Sequence, residues 1–215
     1  MAPHPPRSTT AGQRRALVRP RLIRALDGRW DHRVTLLVAG AGFGKSILLS
    51  QLTDSSSEGV DVIVACGPDD NRAWVLATKV LAALGEDAPL VPQTDSVSSI
   101  DEACFVLSEA VLSRAPTPVA LTFDDLHHLD AASEANAVLR RLIDDLPDNG
   151  HLVLSSRVVP ELPLARLRSH QQVLQLGERD LAFDDDELRR LAEARQQPDR
   201  DLEATGGWPA LAELA

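Results

Sequence analysis

The fold is decided by the stretch Ala39-Gly40-Ala41-Gly42-Phe43-Gly44-Lys45-Ser46, which follows the apolar run 34–38 and precedes the apolar-rich segment 47–52. This order predicts a strand, a glycine-rich turn and a helix. Glycines let the backbone turn tightly and aim successive N–H groups at one anion. A helix that begins at Lys45 adds its positive N-terminal dipole. The strict phosphate-loop pattern has glycine where Ala39 stands, and the alternative is a glycine-rich turn with an incidental lysine. The strand before it and the helix after it favour a phosphate-binding loop.

Each polar side chain of this loop has a predicted role. Lys45 is predicted to reach the β- and γ-phosphates of a nucleotide, and the Ser46 hydroxyl is predicted to ligate Mg²⁺. The main-chain N–H groups around them would cradle the phosphate chain. The predicted nucleotide-binding residues of the loop and of the first helical turn are Gly40, Ala41, Gly42, Phe43, Gly44, Lys45, Ser46 and Ile47.

Composition narrows the class of protein. A chain of 215 residues is long enough for one full α/β domain and part of another. Its formal net charge of −10 repels nucleic acid, and without tyrosine it has few aromatic side chains on which bases could stack. A stand-alone DNA or RNA binder is therefore not expected.

The cysteines and the N-terminal segment favour a cytoplasmic protein. Cys66 and Cys104 each lie in an apolar segment, which is typical of buried, reduced thiols. No apolar run approaches the roughly 20 residues of a membrane helix, and the N-terminus lacks a signal-peptide core. Prolines interrupt the first residues, so we expect residues 1–16 to be a disordered leader.

Strand and helix signals alternate along the rest of the chain. The predicted strands are 34–38, 60–66, 119–123, 151–156 and 173–176, and the main predicted helices are 20–27, 45–52, 72–84, 99–114, 133–146 and one that begins after Asp184. Ser99 and Glu102 have the spacing of a capping box, and so do Asp184 and Glu187. Alternation of this kind predicts right-handed βαβ units and a mostly parallel sheet, with ligands at the carboxyl ends of its strands.

Two acids and an arginine follow predicted strands. Asp124 can hold Mg²⁺ directly or through water, and Asp125 can orient or deprotonate an attacking water. Arg157 can contact a γ-phosphate, because its guanidinium stays charged and donates in a fork. The alternatives stay open: the acids can be solvated residues at a strand end, and Arg157 can pair with Glu161 or Asp184.

Other features point away from a metal cluster and from guanine. His127 and His128 are adjacent and diverge on a helical turn, which favours a supporting or surface role over metal binding. The guanine-specifying Asn/Thr-Lys-x-Asp signature is absent, because Thr78-Lys79 is followed by Val80 and Leu81. Adenine is therefore the favoured base.

An ordered set of motifs carries a resemblance to a known family. The set comprises Arg19-Pro20-Arg21-Leu22, the loop 39–46, Phe123-Asp124-Asp125-Leu126-His127, Leu154-Ser155-Ser156-Arg157 and Gly207-Trp208-Pro209. It resembles the STAND class of signal-transduction ATPases, and within that class the MalT-like branch of large LuxR-type transcriptional regulators. The resemblance runs from about Val18 to the last residue. Alanine at position 39 is a usual variation in this branch.

The resemblance implies roles for particular residues. The segment Val18, Arg19 and Pro20 would wrap the adenine, and Pro209 would pack near it. Arg157 would sense the γ-phosphate. Such proteins are ATP/ADP switches, in which ADP holds a closed monomer and an inducer with ATP opens it to self-associate. Family members continue into further domains, so the resemblance implies that inducer and DNA act through domains absent from this chain. The chain is expected to be either a fragment or a short stand-alone homologue, and its abrupt end favours the fragment.

These observations predict an α/β P-loop NTPase fold with a mostly parallel central sheet flanked by helices. The predicted divisions are a leader at 1–16, a nucleotide-binding domain at 17–178 and the truncated beginning of a helical lid domain at 179–215. The predicted function is a regulatory module that binds ATP or ADP with Mg²⁺, hydrolyses ATP slowly and controls self-association. One alternative is a small-molecule kinase with Arg166-Leu167-Arg168 in a lid. Another is an interaction module that binds nucleotide without hydrolysing it.

Overall fold

A computed structural model describes residues 16–55, 58–86, 96–195 and 204–214. Apart from Ala16, the predicted leader lies outside these ranges. Residues 196–203 of the predicted lid domain also lie outside them.

Five parallel strands form one sheet in the order β2-β3-β4-β1-β5. The strands are β1 Val34–Val38, β2 Val60–Ala65, β3 Val119–Asp124, β4 Gly150–Ser156 and β5 Val173–Gly177. Val38 pairs with Ser156 and Phe123 pairs with Leu154, so the carboxyl ends of β1, β4 and β3 lie side by side. The predicted parallel sheet and fold class are confirmed.

Helices cover both faces of this sheet. They are α1 Pro20–Asp27, α2 Lys45–Ser55, α3 Ala73–Leu84, α4 Ser96–Leu112, α5 Glu134–Asp145, α6 Ala165–Ser169, α7 Glu178–Leu181, α8 Asp185–Arg195 and α9 Pro209–Leu214. Short 3₁₀ turns occupy Gly28–Asp31, Pro68–Asp70 and Leu126–His128. Within the described ranges, no helix is both long enough and apolar enough to cross a membrane.

Local sequence signals fix several helix ends. The Ser133 side chain accepts a hydrogen bond from the Asn136 amide at 3.1 Å and caps α5. Gly85 ends α3 with a left-handed φ of 78°. Asp184 and Glu187 form the predicted capping box, with bonds of 2.8 and 3.2 Å to each other's amides.

The capping box predicted at Ser99 is wrong. Helix α4 begins at Ser96, which places Ser99 inside the helix. Glu102 therefore does not close a box, and one of its carboxylate oxygens is buried without a hydrogen-bond partner among the described residues. Helix formation is cooperative, so a helix runs past a possible cap when the residues before it accept helical geometry.

The core has two main layers and a smaller third cluster. Helices α3, α4 and α5 pack on one face of the sheet, and α1 and α2 pack on the other. Every residue of β3 and β4 is buried, as expected for strands inside a parallel sheet covered on both faces. The third cluster joins α8 to α9 through Phe183, Leu188, Leu191, Ala192 and Ala212. It lies outside the sheet core, next to the loop between β1 and α2.

Candidate nucleotide-binding site

The phosphate loop connects β1 to α2, as its sequence predicts. Gly42 and Gly44 have φ values of 80° and 76°, a left-handed conformation that side chains disfavour. At Gly42 space is also limiting, because a Cβ built there would lie 2.5 Å from the Cβ of Ala210. The loop therefore needs its glycines for both its turns and its close contact with α9.

Lys45 is the buried cation of this loop. Its side chain is largely covered, and Nζ donates to the carbonyl oxygens of Ala39 at 2.6 Å and Gly40 at 3.0 Å. Burial lowers the pKa of Lys45, and the nearby acids Asp124 and Asp125 oppose that shift. The ammonium group is thus held close to the carboxyl end of β3.

The two acids differ in exposure and in backbone geometry. Asp124 is buried at the end of β3, and its Oδ1 accepts a hydrogen bond from the Asp125 amide at 2.9 Å. Asp125 has a left-handed backbone with φ 56° and ψ 38°, and its side chain is 38% exposed. Such a conformation is unfavourable for a residue other than glycine and is often found at functional sites. It turns the chain sharply at the strand end.

Motifs distant in the sequence come together at this edge of the sheet. The pKa of Lys45 responds to the charges of Asp124, Asp125, Arg157 and Glu178, which therefore lie near its ammonium group. The sheet order explains this, because β1, β4 and β3 are consecutive neighbours. The loop follows β1, Arg157 follows β4, and Asp124 is the last residue of β3 with Asp125 directly after it. Together they make one charged site.

His127 lies against this cluster. Its ring centroid is 4.2 Å from that of His128, and its Nδ1 is 3.7 Å from Oδ1 of Asp125. Burial lowers the pKa of His127, and the positive charge of Arg157 lowers it further. Both ring nitrogens are buried without a hydrogen-bond partner among the described residues. His127 therefore lies beside Asp125 as a side chain that is harder to protonate than an exposed histidine.

An apolar cavity of about 210 Å³ lies between the loop, α2 and α9. Five residues predicted to bind nucleotide line this cavity: Arg19, Gly42, Gly44, Ile47 and Pro209. The rest of the lining consists of Ala16, Leu17, Leu48, Phe183, Ala210 and Glu213. Val18 and Pro20 do not line it, and the Val18 side chain is exposed. Its apolar walls beside a phosphate loop suit a flat heteroaromatic base.

Arg19 lies on this wall with its guanidinium already engaged. It donates to both carboxylate oxygens of Glu187, at 3.1 and 2.7 Å, and to the carbonyl oxygens of Leu181 and Ala182 at 2.8 Å each. It also stacks over the Phe183 ring at 4.6 Å. Burial alone would raise the pKa of Glu187, but the hydrogen bonds and charge of Arg19 lower it. Arg19 thus ties the segment before α1 to the start of α8.

Three residues that touch the loop were not predicted as site residues. Glu178 accepts a hydrogen bond from the Gly40 amide at 3.1 Å. Trp208 Nε1 donates to the Ala41 carbonyl at 3.2 Å, and the Ala210 amide donates to the Gly42 carbonyl at 2.9 Å. Glu178 directly follows β5, so the rule that ligands gather at carboxyl strand ends could have indicated it. No local sequence signal indicates the other two contacts.

The oxygen donors present fit Mg²⁺. Ser46 is the second residue of α2 and is exposed, and Asp124 offers a buried carboxylate at the end of the strand two places away. Mg²⁺ prefers oxygen ligands and commonly takes one or two from protein and the rest from phosphate and water. Within the described ranges, no cluster of three or more His, Cys, Asp or Glu side chains could hold a metal ion. The pair therefore fits a nucleotide-bound Mg²⁺ better than a metal held by protein alone.

The arginines proposed for a kinase lid lie elsewhere. Arg166 and Arg168 belong to α6, which precedes the amino end of β5. Arg166 pairs with Asp144 and lines a cleft with Gly150, the first residue of β4. They are thus at the edge of the sheet opposite the phosphate loop.

Known transcriptional regulators are similar to this chain in sequence. The chain is 29% identical to the HTH-type transcriptional regulator MalT of Cronobacter sakazakii over 215 aligned residues, which cover 92% of this chain and 23% of that protein. It is 31% identical to MalT of Yersinia enterocolitica over 189 aligned residues, covering 83% of this chain and 20% of that protein. The chain thus spans about a fifth of the length of these regulators. A scan against protein-family models finds no match.

Two solved structures share the fold at low sequence identity. One is the STAND protein PH0952 of Pyrococcus horikoshii, which has a tetratricopeptide repeat sensor; its TM-score is 0.55 at 15% identity, covering 93% of this chain and 29% of that one. The other is Cdc6p of Pyrobaculum aerophilum, with a TM-score of 0.54 at 18% identity, covering 89% of this chain and 50% of that one. The fold is that of the P-loop nucleoside triphosphatases.

Sequence and fold narrow that class further. The resemblance to MalT-like members of the STAND class is confirmed, because the sequence similarity extends over most of the chain and the fold agrees with it. Together they support a nucleotide-binding regulatory module.

Proposed function

We propose that this chain is an ATP- and ADP-binding regulatory module that hydrolyses ATP slowly and whose bound nucleotide controls conformation and self-association. The observation that carries the proposal is the meeting of Lys45, Asp124, Asp125 and Arg157 at one edge of the sheet. These side chains come from three segments spread over 112 residues of sequence, from Lys45 to Arg157, so a chance cluster of charges is a poor explanation. A triphosphate with Mg²⁺ requires this combination of cations and acids.

Each residue has a part in holding the nucleotide. Amides of residues 42–46 and the ammonium of Lys45 would bind the phosphates, while the apolar cavity beside Pro209 would take the adenine. Ser46 and Asp124 would hold Mg²⁺, which when bound neutralises charge on the phosphates. Arg19 would shape the wall of the base pocket, since Glu187 and main-chain carbonyls already occupy its donors. Val18 and Pro20 would contribute by setting the path of the main chain on either side of Arg19.

Hydrolysis would depend on Asp125 and Arg157. Asp125 would orient or deprotonate the attacking water, and its partly exposed carboxylate leaves access for that water. Arg157 would contact the γ-phosphate and so distinguish ATP from ADP. A slow reaction suits a regulator, because its output is the relative population of the two conformational states. Moving such an equilibrium from 1:99 to 99:1 takes a difference in binding of about 5.5 kcal/mol between states.

The partners and the location follow from the same proposal. MalT proteins are HTH-type transcriptional regulators, and we infer that inducer and DNA engage parts of such a regulator that these residues do not form. A cytoplasmic location is supported by Cys66 and Cys104, which are buried and form no disulfide. Burial raises the pKa of their thiols to about 12 and about 11, so both stay protonated and unreactive.

Calorimetric titration with ATP–Mg²⁺ and with ADP–Mg²⁺ tests the proposal. The parent protein should bind both, and Lys45→Ala should lose binding by at least about a hundredfold because a buried charge-assisted contact disappears. The chain contains one other lysine, Lys79, which pairs with Asp70 and the Ala65 carbonyl at the end of β2, three strands away from β1 and the loop. Lys79→Ala is therefore the matched control and should bind normally. A parent protein that binds neither nucleotide would overturn the proposal.

Self-association needs its own measurement. Sedimentation velocity should show a larger species with a slowly hydrolysed ATP analogue than with ADP. Lys45→Ala should give the same distribution with either ligand. An identical distribution for the parent protein in both nucleotides would remove self-association from the proposal while leaving nucleotide binding intact.

A further inference from the structure

We propose that Trp208 is a positioning residue for phosphate binding. Together with the main-chain amide of Ala210, it donates hydrogen bonds to two carbonyls of the phosphate loop, and this turns two amides of the loop toward the phosphates. The inference rests on the proposed function, because it assigns a residue to the same site. It concerns the contact between α9 and the phosphate loop.

Two hydrogen bonds connect these elements. The indole Nε1 of Trp208 donates to the Ala41 carbonyl at 3.2 Å, and the Ala210 amide donates to the Gly42 carbonyl at 2.9 Å. The carbonyls belong to consecutive peptide units at the turn of the loop. Both of these donors lie on one side of it, at the start of α9.

Peptide geometry converts this outer contact into an effect on the inner face of the loop. In a trans peptide the C=O of one residue and the N–H of the next lie in one plane and point in opposite directions. Holding the Ala41 carbonyl toward α9 therefore directs the Gly42 amide away from α9. Holding the Gly42 carbonyl likewise directs the Phe43 amide away. These two amides belong to the set that a phosphate loop uses for its anion.

Close packing makes the contact specific. A Cβ at Gly42 would lie 2.5 Å from the Ala210 Cβ and 3.0 Å from Trp208 Nε1, so α9 sits directly against the loop backbone. Gly42 has a φ of 80°, a conformation that only glycine adopts easily. The two hydrogen bonds keep the loop in this conformation. Without them, the loop would have more conformations to lose when it binds phosphate.

The contact predicts a selective effect on ligands. Trp208 does not line the apolar cavity, whereas its neighbours Pro209 and Ala210 do. Loss of the indole N–H should therefore weaken binding of the phosphate chain and leave binding of the base nearly unchanged. A residue with a purely structural role would weaken both ligands together.

The test compares ADP–Mg²⁺ with adenosine, each measured by displacement of a fluorescent ADP analogue. Trp208→Phe keeps an aromatic ring but removes the donor, and it should weaken ADP about three- to tenfold, as expected for one hydrogen bond. Its affinity for adenosine should change less than about twofold. Trp30→Phe is the matched control, because Trp30 packs edge-on against His151 at the start of β4. This variant should bind both ligands as the parent protein does.

Trp208→Leu provides a second variant. It removes both the ring and the donor at a residue that does not line the base cavity, so the same selective loss of ADP affinity is expected. Unchanged ADP affinity in both variants, or equal losses for ADP and adenosine, would overturn the inference. A parent protein that binds no nucleotide would instead contradict the proposed function, so the two failures are distinguishable.

Discussion

The two edges of the sheet each hold a cation, and they satisfy it differently. At the amino edge, Arg33 donates to four carbonyls between α5 and β4: those of Ile143 at 3.1 Å, Pro147 and Gly150 at 2.8 Å each, and Leu146. At the carboxyl edge, Lys45 donates to two carbonyls of its own loop and lies near Asp124 and Asp125. Burial lowers the pKa of both cations.

This difference separates a structural charge from a functional one. The planar fork of Arg33 caps the carbonyls at the end of a helix, where a cation also complements the helix dipole. The ammonium of Lys45 is a point charge on a flexible stem, held by a loop that glycines allow to change shape. We expect substitutions of Arg33 to change stability, and those of Lys45, Asp124 and Asp125 to change nucleotide binding or turnover.

The largest expected effect is on turnover. Asp125→Asn should reduce single-turnover ATP hydrolysis by about a hundredfold or more, because an amide cannot accept the proton of the attacking water. ATP affinity should stay within about threefold. Asp144→Asn, at the amino edge, is the control and should hydrolyse ATP as the parent does. Equal turnover in Asp125→Asn and the parent would remove Asp125 from the mechanism.

The next effect is on stability. Arg33→Met should lower the free energy of unfolding by about 3 kcal/mol, since it leaves several partly buried carbonyls without their donor. For a chain of this size that corresponds to roughly 6–12 °C in melting temperature by circular dichroism. Arg33→Lys should recover only part of the loss, because lysine lacks the fork. A change in ATP affinity without a change in melting temperature would contradict the assignment of Arg33 to structure.

The smallest effect concerns pH. His151 is buried, donates through Nδ1 to the His32 carbonyl, and has its pKa lowered by burial. The hydrogen bond to the His32 carbonyl opposes this shift, the charges of Arg33 and Arg29 lower the pKa further, and Asp31 raises it. The unfolded chain therefore binds this proton first, and stability falls as pH decreases from about 6.5 toward the folded pKa. His151→Gln should remove this loss of stability. The fall in melting temperature with decreasing pH should therefore be about 1–3 °C smaller than in the parent protein. The exposed His170→Gln should follow the parent curve, and an equally steep curve in His151→Gln would refute the assignment.

Much of the fold could be predicted because its signals are local. Gly85, Ser133 and Asp184 each act within about four residues, and all three ended or began helices where expected. The parallel sheet followed from the alternation of strands and helices. Ser99 shows the limit of such signals, because a cap-like pattern does not stop a helix that can extend.

The site was predictable only in part. The loop and the acids could be assigned because each motif is contiguous and follows an apolar strand. The contacts of Arg19 with Glu187 and of Trp208 with Ala41 join residues more than 160 positions apart. They depend on how α8 and α9 pack against the loop, and no period or spacing in the sequence encodes that.

A crystal structure with a slowly hydrolysed ATP analogue and Mg²⁺ most directly tests whether the carboxyl edge is the nucleotide site. We predict a triphosphate on the amides of residues 42–46, adenine in the cavity beside Pro209, and a metal ion between Ser46 and Asp124. Arg33 should keep its four carbonyl partners. Nucleotide bound at the amino edge, or crystals in which the loop is accessible at saturating ligand yet holds no phosphate, would contradict the account.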